Sequence, residues 1–190
     1  MKTERPVAIS LFVLVSLIQT GCSGINVKKT YSLDGTSGAG VLVASLTQSG
    51  VPSRYGTHFS IRGVDNSYKG TIAIFDVLAS ADWRCPMFGS STEDAPCGRL
   101  AIVELPQGEY EFYSWGGAEG FGNRVEAEQE FSKRFRITAG KATYVGNVHL
   151  SAHRGSFDIK VLDRQKRDLD LLYQRAPTIT ADQVLIDIIQ

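Results

Sequence analysis

His149 and His153 stand four residues apart, the spacing at which two imidazoles on one helix face can share a zinc ion. Here they straddle the end of an alternating run and a turn at Arg154-Gly155, and the local sequence supplies no carboxylate or cysteine to complete a ligand set. A solvated polar face is the expected role for them, and for His58, which alternates with Ser60 and Arg62; no metal is expected. The acid pairs Glu109 and Glu111, and Glu126 and Glu128, are two apart, so each pair would share one side of a strand. Glycosidase carboxylates share a cleft in that way but usually come from distant segments, and solvated charge on an outer sheet face is the expected role of these acids. The chain has no nucleophile elbow, no zincin helix and no cysteine paired with a recognisable base. Its Gly-Thr-Ser-Gly-Ala-Gly stretch from Gly35 to Gly40 lacks the Lys-Ser/Thr end of a phosphate loop. The expectation is a protein without enzymatic activity or cofactor.

The three cysteines, Cys22, Cys85 and Cys97, divide into one and two once the N-terminus is considered. Lys2 and Arg5 precede the apolar run VAISLFVLVSLI from Val7 to Ile18, which suits a secretory leader and falls short of the ~20 residues of a spanning helix. Gln19-Thr20-Gly21-Cys22-Ser23 follows, and it resembles the lipobox of bacterial lipoproteins. The resemblance covers the first 23 residues, and Gln19 departs from it because the family prefers leucine there. It implies cleavage before Cys22, acylation of that cysteine, anchoring in a membrane, and, through Ser23, sorting to the outer membrane with the body facing the periplasm or the cell surface. A plain cleaved leader with an incidental cysteine is the competing reading.

An exported chain enters an oxidising compartment, where Cys85 and Cys97, bracketing CPMFGSSTEDAPC, are expected to form a disulfide. Closing that ring contributes on the order of 3 kcal/mol by restricting the unfolded loop. A metal pair or two free thiols are the alternatives that spacing leaves open.

With 190 residues, 43% hydrophobic and 21% charged, the chain is long enough for one domain with a real core. Lys plus Arg and Asp plus Glu both number 20, and loss of the leader leaves the body close to neutral, so there is no electrostatic case for nucleic acid. The expected organisation is a leader over residues 1–21, a flexible tether over 22–40 rich in Gly, Ser and Thr, and a folded domain over 41–190.

Within that domain, short runs bounded by turn residues recur: Val41 to Leu46, His58 to Val64, Thr71 to Leu78, Arg99 to Leu105, Glu109 to Trp115, Glu130 to Thr138, Ala142 to Leu150 and Ser156 to Leu162. Such spacing without helical period predicts a β-sandwich or barrel. Thr71 to Leu78, TIAIFDVL, is apolar on both parities and is expected to be central. Phe131, Phe135 and Ile137 alternate with Ser132, Arg134 and Arg136; Gly140 can then reverse the chain, and Ala142, Tyr144, Val148 and Leu150 share a second parity, which predicts a hairpin. After Leu162 the period changes. Leu169, Leu172, Tyr173 and Ala176 predict one amphipathic helix, capped by Asp163 and stopped before Pro177, and QVLIDII from Gln183 to Ile189 predicts a final strand.

Leu105-Pro106-Gln107-Gly108-Glu109-Tyr110 resembles the LPxGxY turn of prealbumin-like sandwiches, such as carboxypeptidase regulatory-like and SpaA-like domains. Phe135 to Gly146 resembles a run carried by uncharacterised bacterial lipoproteins of this shape. Together they cover about a third of the chain and imply a mainly β, antiparallel, Ig-like or prealbumin-like sandwich with a C-terminal helix, in which Tyr110 enters the core.

The candidate binding surfaces are two loops, Ala79 to Gly98 with Trp83 and Phe88, and the Gly-rich stretch from Gly116 with Phe121, flanked by Trp115. The expected function is a lipid-anchored envelope protein acting as a binding or structural module, its partners the membrane and an envelope protein. An envelope hydrolase using Asp82, Glu93 or Glu119 is the alternative from another class. A subunit of an envelope complex, pairing through a sheet edge or the last strand, is the third.

Overall fold

The run AGVLVASLTQS, Ala39–Ser49, forms strand β1, and every residue after Ala39 is buried. Its two parities serve two cores. Leu42, Ala44 and Leu46 fill the space between two sheets, whereas Val41 and Val43 face the opposite way, beneath a helix. The computed structural model that shows this describes residues 26–50, 55–75, 81–83, 91–92, 95–119, 124–127, 130–153 and 156–190.

Two mixed or antiparallel sheets lie face to face in a sandwich-like, mainly β arrangement. In the first, β1 pairs antiparallel with β4 (Cys97–Pro106) and parallel with β8 (Ala142–His153). The far side of β8 is divided between β10 (Val184–Ile186), parallel to its first residues, and β9 (Ser156–Leu162), antiparallel to its last. In the second sheet β5 (Gly108–Glu119) lies beside β2 (Tyr55–Gly63), which pairs with β3 (Lys69–Phe75). The other side of β5 carries β7 (Lys133–Ile137) on its first half and β6 (Arg124–Glu126) on its second. Aromatic rings dominate the core on this side: Phe59 meets Phe112 edge-on at 5.9 Å, and Tyr110 stacks on Phe135 at 5.8 Å.

Tyr110 is fully buried, and its hydroxyl donates to Pro106 O at 2.8 Å, so the turn between β4 and β5 is tied to the first core residue that follows it. Gly108 holds φ at 153° there, against Asp65, whose Oδ1 accepts from Glu109 N at 3.1 Å.

Several expectations are corrected. The two runs around Gly140 do not form a hairpin, since β7 belongs to the second sheet and β8 to the first. Gly140 does take a left-handed conformation, φ 68°, but the turn carries the chain between layers: Gly140 N donates to Ala39 O and Val41 N to Lys141 O. Alternation tells which side of a strand is apolar, and it is silent on whether the next strand pairs beside it or stacks across from it. The sandwich is also not wholly antiparallel, because β8 runs parallel to both β1 and β10. Among the described strands β3 lies at an edge, so burial on both faces falls to β1 and β8 and not to TIAIFDVL, whose last residues, 76–78, fall outside the described part.

Ala142 and Tyr144 do not share a face with Val148 and Leu150. The register of β1 with β8 shifts between Val43 and Ser45, where Gly146 adopts φ 99°, so β8 carries one extra residue. That bulge reverses the parity: Ala142 and Tyr144 lie with the helix, and Val148 and Leu150 lie between the sheets.

The stretch from Asn26 to Gly38, expected as tether, is fastened to the sheet. Asn26 Nδ2 donates to Leu100 O at 3.2 Å, its Oδ1 accepts from Ile102 N at 2.9 Å, and Val27 N donates to Ile102 O at 2.9 Å, so this segment lies along the outer edge of β4. Leu33 is buried, and Asp34 caps a short 3-10 turn, Gly35–Ser37, by accepting from Thr36 N.

Helix α1 spans Gln165–Arg175 and packs Leu172 and the following Ala176 onto the outer face of the first sheet. Asp163 acts as expected near its start by accepting from Gln165 N at 2.9 Å, although Arg164 occupies the cap position.

Candidate functional site

The helix brings a carboxylate onto its apolar stripe. Asp168 stands four residues before Leu172, is fully buried, and meets β1 and β8 where their outer faces change from aliphatic to polar. Ser45 Oγ donates to Asp168 Oδ2 at 2.5 Å and Tyr144 OH donates to the same oxygen at 2.8 Å. Arg167 Nε donates to Asp168 Oδ1 at 2.8 Å, and its Nη2 donates to Ser45 Oγ at 3.0 Å. The guanidinium lies 3.9 Å over the Trp83 ring. Burial, then the neighbouring Asp168 carboxylate, pushes the Tyr144 phenol far above its ordinary value.

From Ser45 a buried polar row continues along β1 and β8, which run parallel with Ser45 opposite Asn147 and Thr47 opposite His149. Asn147 Nδ2 donates to Ser45 O at 3.0 Å and to Thr47 Oγ1 at 2.9 Å. His149 Nδ1 lies 2.7 Å from Thr47 Oγ1, and its Nε2 lies 2.9 Å from Ser49 Oγ. Both hydroxyls rotate, so each ring nitrogen has a partner in either neutral tautomer. A serine hydroxyl beside an imidazole is the first requirement of a covalent hydrolase. Here Nδ1 faces the Thr47 hydroxyl, and Ser49 is only 5% exposed. The row acts as a lock between strands and helix.

On the inner side of the same strand ends, Gln48 accepts from Thr57 across the two sheets and donates to Cys97 Sγ at 3.8 Å. The long loop before β4 is fastened at its ends. Trp83 and Gly98 exchange backbone hydrogen bonds at 3.1 Å, Ser91 Oγ donates to Gln48 O at 2.7 Å, and Asp82 accepts from Leu100 N at 2.7 Å and from Arg175 on α1.

Most of the residues singled out from sequence are not brought together. Trp83 is half-buried and engaged by Arg167. Trp115 is a core residue, 4% exposed, with its ring 4.4 Å from that of Phe157, so it is not a loop binding residue. Cys22, Cys85, Phe88, Glu93 and Phe121 lie outside the described residues, as do the side chains of Glu119 and His153. His149 is 1% exposed, which overturns its placement on a solvated face. His58 is half-buried, and burial holds its pKa below the ordinary value against the opposing pull of Glu126.

Glu111 is likewise not a free surface acid. It is 6% exposed and takes hydrogen bonds from Ser132 Oγ at 2.5 Å and Arg62 Nε at 2.7 Å, which together hold its carboxyl below the usual range. Among the described residues, no group of three or more His, Cys, Asp or Glu side chains gathers as a metal site would need.

Sequence reasoning missed Asp168, Ser45, Thr47 and Asn147. The available signals were a carboxylate on the stripe of an apolar helix and a Ser-x-Thr-x-Ser alternation in an otherwise aliphatic strand.

The buried phenols imply a defined alkaline limit to stability. Burial pushes Tyr110 up to about 12, and Tyr144 is raised further. The folded state therefore keeps these protons to higher pH than the unfolded chain, whose tyrosines titrate near about 10. Their contribution is complete below that value and is lost progressively as pH climbs from there through the raised folded values. Urea midpoints measured from about pH 8 to about pH 11 are expected to fall steeply at the upper end, and less steeply in Tyr144→Phe. An equal slope in wild type and variant would remove Tyr144 from this account.

Comparison with family models, with curated proteins and with solved structures finds no match for this chain.

Proposed function

We propose that the protein is a bacterial envelope lipoprotein, anchored through acylated Cys22 and acting as a non-enzymatic binding or structural module, with a prealbumin-like (Ig-like) sandwich and a disulfide between Cys85 and Cys97. The observation that carries this reading is the N-terminal order of Lys2 and Arg5, an apolar run too short to span, and Gly21-Cys22-Ser23. Two or three acyl chains on one cysteine hold a protein firmly where one would not, each buried CH₂ adding ~0.8 kcal/mol. Ser23 supports the outer membrane as its address, with the body facing the periplasm.

The finer fold is supported by the LPxGxY turn, in which Tyr110 closes on Pro106 O. Support for the disulfide comes from the oxidising compartment an exported chain enters and from Cys97, which is 1% exposed and so shielded from reductants. The non-enzymatic reading is supported by Asp82, one of the acids a hydrolase would recruit, which serves Leu100 N and Arg175 instead. A second reading, a subunit of an envelope complex, is favoured by β10. Among the described strands it pairs with β8 alone, and it leaves Leu185 39% and Ile186 45% exposed.

Metabolic labelling with palmitate tests the anchor. Label is expected in the wild type and absent from Cys22→Ala; equal label in both would overturn the assignment, and the mass of the mature chain reports the acyl chains and the disulfide together.

A further inference from the structure

We propose that the turn Lys28-Lys29-Thr30-Tyr31 is a foot that rests on anionic phospholipid headgroups and sets how the sandwich stands on its membrane; the proposal rests on the Cys22 anchor. Three observations meet at this turn. The first is that the chain is pinned immediately before it, with both ends of the Asn26 carboxamide and the Val27 amide bonded to Leu100 and Ile102 on β4. Immediately after it, Thr178 Oγ1 donates to Tyr31 O and Leu33 is buried, so the turn is held at both ends.

The second observation is a length. Cys22 and Asn26 are four residues apart, a span of at most about 14 Å. Had the chain been free from Ser23 to Gly40, a flexible coil of that length would allow excursions of roughly 23 Å on average and every orientation. With the chain pinned at Asn26, the β4 edge cannot leave the neighbourhood of the bilayer surface, and the turn lies just beyond the pinning point.

The third is the chemistry of the tip. Tyr31 N donates to Lys28 O at 2.9 Å to close the turn, and Lys28, Lys29 and Thr30 are all exposed. Two ammonium groups held at the end of a short leash face the phosphates of the leaflet in which the acyl chains sit, and lysines so placed are drawn to an anionic surface.

The test uses the full acylated protein reconstituted in vesicles of phosphatidylethanolamine and phosphatidylglycerol that carry a headgroup-attached quencher. A fluorophore is attached through Thr30→Cys at the turn, or through Arg134→Cys on the exposed face of the second sheet. Several-fold stronger quenching at the turn is expected. Adding Lys28→Glu and Lys29→Glu is expected to abolish most of that difference on these vesicles and to leave quenching unchanged on purely zwitterionic ones. Equal quenching at both sites in protein that sediments with the vesicles overturns the foot and leaves the anchor standing. Protein that stays in the supernatant overturns the anchor reading, and the foot with it.

Discussion

Replacing Asp168 with alanine is expected to lower the free energy of unfolding by about 2–5 kcal/mol, because it strands two buried hydroxyl donors and takes the partner from a half-buried guanidinium. Asp168 is fully buried and gathers Ser45, Tyr144 and Arg167. Without it the buried Tyr144 hydroxyl has lost its acceptor, and among the described residues Arg167 keeps Ser45 Oγ and the Trp83 face. The helix would then be held to the sheet mainly by Leu172 and Ala176. A loss of that size is a large fraction of the 5–15 kcal/mol typical of a domain. It should appear as a lower urea midpoint with an unchanged slope.

Asp168→Asn separates charge from shape. The amide oxygen can still accept from Tyr144, but its NH₂ faces Arg167, so an intermediate loss is expected. If Asp168→Ala cost under about 1 kcal/mol, the pair would be behaving as a solvent-screened surface bridge, and the helix would be docked by apolar contact alone.

Gly40→Ala is expected to cost on the order of 3 kcal/mol, through overpacking against backbone that cannot step aside. A Cβ at position 40 would stand 2.2 Å from Thr138 O and 2.9 Å from Lys141 O, the carbonyls of the turn that carries the chain from β7 to β8. That turn is tied to β1 by Gly140 N and Lys141 O, so relieving the clash means opening the place where the two sheets are joined. Gly38→Ala is the matched control. Gly38 has φ 68° with nothing within reach of a Cβ, so the change costs only the left-handed backbone penalty, about 1 kcal/mol. Thermal unfolding of the two variants side by side checks the difference, and similar losses would show that position 40 tolerates a side chain.

Strand existence was legible because alternation and turn residues are local. Ser156–Leu162 lies where the pattern puts it, and the LPxGxY segment turns into β5 with Tyr110 buried. The polar row was much less legible. Ser45, Thr47 and Asn147 carry no local mark of burial, which comes from α1 over Ser45 and from the pairing of β1 with β8, about a hundred residues apart. Trp115 misled for the opposite reason, since an aromatic beside a Gly-rich stretch reads as loop until Phe157, forty-two residues later, is found against it.

Taken alone, the amino-acid sequence determined the class of the chain: many short strands and one amphipathic helix, both of which follow from patterns within a dozen or so neighbours. Tertiary structure alone decided which strands pair and which stack. It placed β7 and β8 in different sheets, ran β8 parallel to β1, and let the bulge at Gly146 exchange the two faces of β8. The physical reason is that side-chain period specifies a face and nothing about the partner. Partners are selected by burial and hydrogen bonding between residues about a hundred positions apart, as with Thr47 and His149.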